Sequence, residues 1–246
     1  MLVQKYFEEV SRIEREIMDT QMGIIQEAAE RITESLMKGG ILHLFGSGHN
    51  IIPAKEGFSR TGGLVPVNPL FDANLLGPFG GSRKIMQLQK LEGYTPILLE
   101  GYDLQPGEVL VIFTASGRYP VAIDLCLEAQ RRGLFVIAVT SLKYSKGVAS
   151  QHSSGKQLYE VADLVIDNCG EAGDAIVDVP APGKGRVGPT ATIMSVLILH
   201  AIFLQVVENY IQQGREPPVV LYPYVADASK RNRQAFDQYR SRLKHL

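Results

Sequence analysis

A chain of 246 residues with 45% apolar and 21% charged side chains is long enough to bury a substantial core, and one elaborated α/β domain over 1–246 is expected rather than two small ones. The formal net charge of -1 gives no global attraction to nucleic acid, anionic membrane or acidic partners, so the expected partner is a small molecule. The two cysteines, Cys126 and Cys169, lack CxxC spacing, and the N-terminus reads as an amphipathic helix rather than a signal peptide; together they predict a reducing cytoplasm.

In chain order, Val3, Val10, Ile17 and Ile24 recur every seven residues. With Phe7, Ala28, Ile32 and Leu36 before Gly39-Gly40, they predict a long amphipathic helix over 1–38. Such a helix can pack on its own sheet or on another subunit; the regular seam favours helix-helix packing in a dimer, with ordinary intrachain packing as the alternative. Short apolar runs at 41–45, 64–67, 109–113, 134–139 and 164–166 read as buried strands, mostly separated by helical segments. The crossover over 122–132 is the clearest of these, closed by Arg131-Arg132-Gly133. Segment 69–108 reads as an insertion-like connection, with turns at Gly77-Pro78, Gly80-Gly81-Ser82 and Gln105-Pro106-Gly107 around a helix near 84–91.

Gly185 to Pro189 reads as a loop, and 190–213 as a long apolar helix interrupted by Thr192, Ser195, His200 and Gln205, which argues for burial rather than a bilayer span. Residues 227–246 form a basic helical tail. Its Lys230, Arg231, Arg233, Arg240, Arg242 and Lys244 alternate with Phe236, Tyr239 and Leu243, which fits docking on protein better than binding nucleic acid. The alternation predicts an α/β three-layer doubly wound sandwich with a mostly parallel five-stranded sheet in flavodoxin-like order. Ligands of such sheets bind beyond the carboxyl ends of the strands, where strand order reverses.

Two loops fit that place. The first strand runs into Gly46-Ser47-Gly48-His49-Asn50, and the third into Thr114-Ala115-Ser116-Gly117-Arg118-Tyr119-Pro120, each at a helix start. Free N–H groups, hydroxyls and small residues can cradle a phosphate without a local cation, although one such turn alone is equally a tight connection. Neither loop matches GxGxxG or GxxxxGK[ST], so dinucleotides and nucleoside triphosphates lose ground.

On these residues the sequence resembles the sugar isomerase (SIS) domain family, in which Gly-x-Gly-x-Ser-like and Ser-x-Ser-Gly-x-Thr-like loops hold a substrate phosphate. It looks most like bacterial phosphosugar-binding SIS proteins of poorly assigned function, through Gly48-His49, Glu56, Arg60-Thr61-Gly62-Gly63-Leu64, His152-Ser153-Ser154-Gly155-Lys156 and Gly173-Asp174-Ala175. Phosphoheptose isomerase and N-acetylmuramic acid 6-phosphate etherase are more distant likenesses. Asn50 and Tyr119 depart from the family pattern, standing where a Ser and a Thr are usual, and Pro53 enters the first helix early. The resemblance implies a phosphorylated sugar as ligand, aldose-ketose isomerisation by proton transfer as the chemistry, and a pocket shared in a homodimer or tetramer.

The candidate substrate-binding residues are Gly46, Ser47, Gly48, His49, Asn50, Thr114, Ser116, Gly117, Arg118, Thr140, Ser141 and His152. Glu56 is the candidate base, against a surface ion pair with Lys55 or Arg60, and His49 is the candidate proton shuttle at a sugar oxygen. His152 is read as covering its own pocket or a neighbour's, against an exposed loop residue, His200 as a satisfied core histidine, and Asp174 as a turn residue, against a contact with sugar hydroxyls. No His/Cys/Asp/Glu spacing suggests a metal, and no cofactor is expected. The rival readings are a non-catalytic phosphosugar sensor and an etherase or lyase acting on an amino-sugar phosphate.

Overall fold

In the computed structural model, which describes residues 1–76 and 81–246, the chain opens with α1 (Leu2–Met37). The helix buries Ile13, Ile17, Ile25, Ala28, Ile32 and Leu36 along one stripe. Helical periodicity of 3.6 sets that stripe, so the seven-residue series drifts to its rim, with Val3 exposed and Val10 and Ile24 half-buried. The helix ends at Gly39, whose φ of 82° is the left-handed conformation glycine tolerates.

The first βα unit is β1 (Leu42–Gly46), a short 3-10 turn over Gly48–Asn50 and α2 (Ile51–Glu56). There follow β2 (Val67–Pro69), α3 (Gly81–Gln89), α4 (Thr95–Leu98) and β3 (Val109–Phe113). The expected strand at 64–67 is displaced toward Pro69, because Leu64 instead forms an isolated bridge with Val219 and the Val65 amide donates to the Pro218 carbonyl. Of the turns expected in this stretch, those at Gly77-Pro78 and Gly80 lie outside the described residues. The chain continues through α5 (Pro120–Arg131), β4 (Phe135–Thr140), α6 (Leu142–Lys146), α7 (Leu158–Val161) and β5 (Leu164–Asp167).

These five strands form one parallel sheet in the order β2-β1-β3-β4-β5, the expected flavodoxin-like arrangement. Strand order reverses between β1 and β3, so the turns after these two neighbours open a crevice. Both faces of the sheet are covered. Along β3, Val109, Val111 and Phe113 pack toward α1, while Leu110 and Ile112 join Val121, Leu125 and Cys126 of α5 on the opposite face. Side chains alternate across a strand, so burial on both sides produces the continuous apolar runs seen in the sequence.

The segment 175–189 is a correction. Where a loop is expected at 185–189, β6 (Ala175–Asp178) and β7 (Arg186–Pro189) form an antiparallel two-stranded ribbon. Its second strand is largely exposed and so carries no hydrophobic alternation to betray it. The ribbon leads into α8 (Ala191–Gln212), whose composition alone would suit a membrane span. It packs against α1 and α2 and buries Met194, Ile198, Ile202, Phe203, Val206 and Tyr210, while Ile193, Leu204 and Ile211 stay exposed.

The basic tail is helical only over α9 (Ala228–Asp237), and the turns beyond it dock on the segment that leads into the central strand β3. Arg242 meets the buried Glu108 carboxylate at 2.8 Å, and Lys244 lies 4.0 Å from the centre of the Tyr102 ring. Glu108 in turn holds the fully buried His43 of β1 at 2.9 Å and the Ile41 amide at 2.9 Å, so the tail closes a buried charge network beneath the sheet.

Candidate functional site

The turns after β1 and β3 enclose a cavity of about 560 Å³ at the reversal of strand order. The first turn is forced tight. A Cβ on Gly46 would lie 1.9 Å from the Asn50 carbonyl oxygen, so only glycine lets the 3-10 turn fold back over the strand end. Ser47, Gly48, His49 and Asn50 then face the cavity. The Gly48 amide is committed to the Leu75 carbonyl at 2.9 Å, and the Ser47 hydroxyl accepts from Gln89 at 2.9 Å.

Across the cavity the second turn presents Thr114, Ala115, Ser116 and Tyr119. Gly117, at φ 60°, donates its amide to the Thr114 hydroxyl oxygen at 3.1 Å and so fixes that side chain while leaving its O–H to donate. Ser116 is 5% exposed and lines the cavity, and no described residue hydrogen-bonds its hydroxyl, which is left open to the cup. Hydroxyl donors aimed at the space between two helix starts form a cup for an oxyanion. Among the described residues lining it there is no lysine or arginine.

Sequence reasoning missed the outer wall. Ser82, Ile85, Met86 and Gln89 of α3 close one side, and Tyr144 of α6 stands on another. The helical pattern near 84–91 was the available signal, but nothing in it says which cavity that helix covers. Asp174, read as a turn residue, does have the left-handed φ of 70°, and its carboxylate also accepts from the Thr190 and Ala191 amides at 2.9 and 2.7 Å. It therefore caps α8 while lining the cup.

Of the other expected contacts, several lie elsewhere. Gly46 and Gly117 shape the turns from behind. Arg118 stacks on Tyr119 with its guanidinium 5.8 Å from the ring centre and pairs with Gln151. Thr140 is wholly buried and shares a 3.1 Å hydrogen bond with Ser145, while Ser141 caps α6 through the Tyr144 amide and donates to the Gly170 carbonyl. Hydroxyls at the end of β4 are thus consumed by local structure. His152 is neither at the cup nor an exposed loop residue. Its side chain is 9% exposed, with Nε2 3.0 Å from the Asp124 carboxylate and Nδ1 accepting from the Ser154 amide at 3.1 Å, which pins its loop onto α5.

Glu56 occupies the last turn of α2, outside the cup, where it pairs with Arg60 and with His200 Nε2 at 3.2 Å. His200 is therefore no core histidine: it is 38% exposed, and burial, then the Arg60 charge, hold its pKa below the ordinary histidine value. The neutral ring donates Nε2–H to the Glu56 carboxylate. Among the described residues no group of three His, Cys, Asp or Glu is placed to hold a metal ion.

Comparison with known proteins bears on this architecture. A UPF0309 protein of Shouchella clausii is 42% identical over 217 residues, covering 88% of each chain, and one of Geobacillus thermodenitrificans is 36% identical over 98% of this chain and 96% of its own. Among solved structures, phosphoheptose isomerase GmhA of Neisseria gonorrhoeae superposes with a TM-score of 0.57 at 19% identity over 83% of this chain and 97% of its own. A phosphoheptose isomerase of Francisella tularensis gives 0.53 at 17% identity over 83% and 95%. Those likenesses carry the fold. With the SIS domain model matching residues 5–141, more than half of the sequence and both phosphate-type turns, the chain belongs to the SIS domain family.

Proposed function

We propose that this protein binds a phosphorylated sugar with its phosphate in the cup between the Ser47–Asn50 and Thr114–Ser116 turns. The observation that carries this reading is Ser116, a residue only 5% exposed that lines the cup and whose hydroxyl no described residue claims, opposite a glycine-built turn at the reversal of strand order. Phosphosugar isomerases sharing the fold support the same ligand class. The chemistry assigned to the site is aldose-ketose isomerisation, in which a base takes the proton from the carbon beside the carbonyl and returns it to the neighbouring carbon. His49 serves the sugar oxygens from within the cup, and Glu56, six residues along the helix or about 9 Å of axial rise, is the base.

A second reading, a sensor without catalysis, is favoured by the engagement of Glu56 with Arg60 and His200 outside the cup. An etherase or lyase acting on an amino-sugar phosphate would use the same phosphate site. A thermal-shift panel of sugar phosphates against their unphosphorylated counterparts tests binding, because a ligand of the native state raises apparent stability. NMR of the best ligand with wild type and Glu56→Gln then separates the chemistries. Binding without turnover selects the sensor, and undiminished turnover in Glu56→Gln removes Glu56 as base.

Residues 1–246 act as one unit in the cytoplasm under this proposal, without cofactor, nucleic acid or membrane. The assembly is a homodimer or tetramer, supported by the exposed Ile193, Leu204 and Ile211 of α8 and Met18 and Met22 of α1. A monomer by light scattering at assay concentration overturns that assembly.

A further inference from the structure

A second cavity, of about 460 Å³, lies away from the cup, between the end of α1 and α9. Leu36, Met37, Val65 and Pro218 give it an apolar patch, and polar side chains make up the larger part of the lining. Tyr210 lines it with only 6% of its surface exposed, and no described residue hydrogen-bonds its hydroxyl. The ring is thus packed while the hydroxyl stays free to meet a ligand in the cavity.

Two more donors join it. Tyr239 and Arg215 line the same cavity, and both act electrostatically on Tyr210. Burial, then the Tyr239 hydroxyl, raise the Tyr210 pKa to about 12 while the Arg215 charge opposes them, so at neutral pH the phenol is a donor. Among the described residues Arg215 has no carboxylate within ion-pair distance, and Glu216, the acidic residue lining the cavity, is engaged by Arg231 at 2.5 Å. The remaining local charge is therefore positive.

We propose that this cavity is a second ligand site, for a small carboxylic acid whose carboxylate sits between Arg215 and the Tyr210 and Tyr239 hydroxyls and whose hydrocarbon body lies on the Leu36, Val65 and Pro218 wall. The lining is more polar than apolar, so the cavity offers a small amphiphile a cationic and phenolic head-group site beside an apolar patch for its body. A guanidinium with two phenolic donors suits a planar oxyanion. The site is independent of the phosphate cup.

Hexanoate is the probe, and hexan-1-ol the matched neutral compound. Two of the ten tyrosines, Tyr210 and Tyr239, line the cavity, and with no tryptophan in the chain their response is visible in tyrosine fluorescence and assigned by its loss in the variants. In wild type, millimolar hexanoate gives a saturable fluorescence change that hexan-1-ol does not reproduce. Loss of a charge-assisted contact weakens hexanoate by about tenfold or more in Arg215→Met and to a similar or smaller degree in Tyr210→Phe. Arg215 is exposed and Tyr210→Phe keeps its ring, so both variants fold. The proposal is overturned by the absence of a saturable change, by an equal response to hexan-1-ol, or by unaltered hexanoate affinity in both variants.

Discussion

Replacing Ser116 by alanine isolates the cup from the rest of the fold. The Ser116 side chain is buried, but no described residue depends on its hydroxyl, so Ser116→Ala leaves the unliganded melting temperature within about 1 °C of wild type. With a phosphate in the cup, that hydroxyl donates to an oxyanion in a water-poor site, a contact worth about 1.5–3 kcal/mol. Its loss weakens the sugar phosphate by about 10- to 150-fold. Thr114→Val goes further, because the Thr114 oxygen also accepts from the Gly117 amide at 3.1 Å, and both affinity and about 1 kcal/mol of stability are lost. Thr140→Val is the control. It breaks the buried 3.1 Å bond to Ser145, so stability falls by about 1 kcal/mol while affinity holds. Isothermal titration with the sugar phosphate that most stabilises wild type, alongside urea unfolding, reads both quantities. Ser116→Ala binding within about twofold of wild type, or Thr140→Val weakened as much as Thr114→Val, refutes the assignment of these hydroxyls to the phosphate.

Three further outcomes follow from contacts outside that pair. Burial pushes the Glu108 carboxyl upward, but hydrogen bonds from His43 and Arg242 outweigh it and bring its pKa to about 2. Its folded pKa thus lies below the unfolded one, so the stabilisation is present above about pH 4.5 and is lost as pH falls toward 2; it amounts to about 3 kcal/mol. Urea unfolding between about pH 6 and pH 3 shows this slope in wild type and a flatter one in Glu108→Gln; identical slopes contradict the network. Gly46→Ala places its Cβ against the Asn50 carbonyl, where backbone would have to move. Loss of more than about 3 kcal/mol is expected by calorimetry, and an unchanged melting temperature shows the turn to be less constrained. Asp174→Ala removes the carboxylate from the Thr190 and Ala191 amides and costs about 1–2 kcal/mol in denaturant unfolding, with faster amide exchange in the first turn of α8.

The order of helices and strands was legible in the sequence because burial on both faces leaves long apolar runs, as at Val109 to Phe113, and helix boundaries carry Gly and Pro. The two phosphate-type turns were legible because a glycine at Gly46 and the hydroxyls at Thr114 and Ser116 follow those runs directly. Such signals are local, and one chain suffices to display them. The rest depended on which distant groups meet. Thr140 and Ser141 look like cup residues in one dimension, yet Ser145 and the start of α6 claim them. His152 is held by Asp124, 28 residues away, and Glu56 by His200, 144 residues away, partners that no spacing announces. Local chemistry therefore identified the two loops that line the cup. Only the packing of α2 on α8 and of α3 over the sheet decided which of their neighbours reach the cup and which are bound elsewhere, because hydrogen-bond partners are chosen by proximity in space.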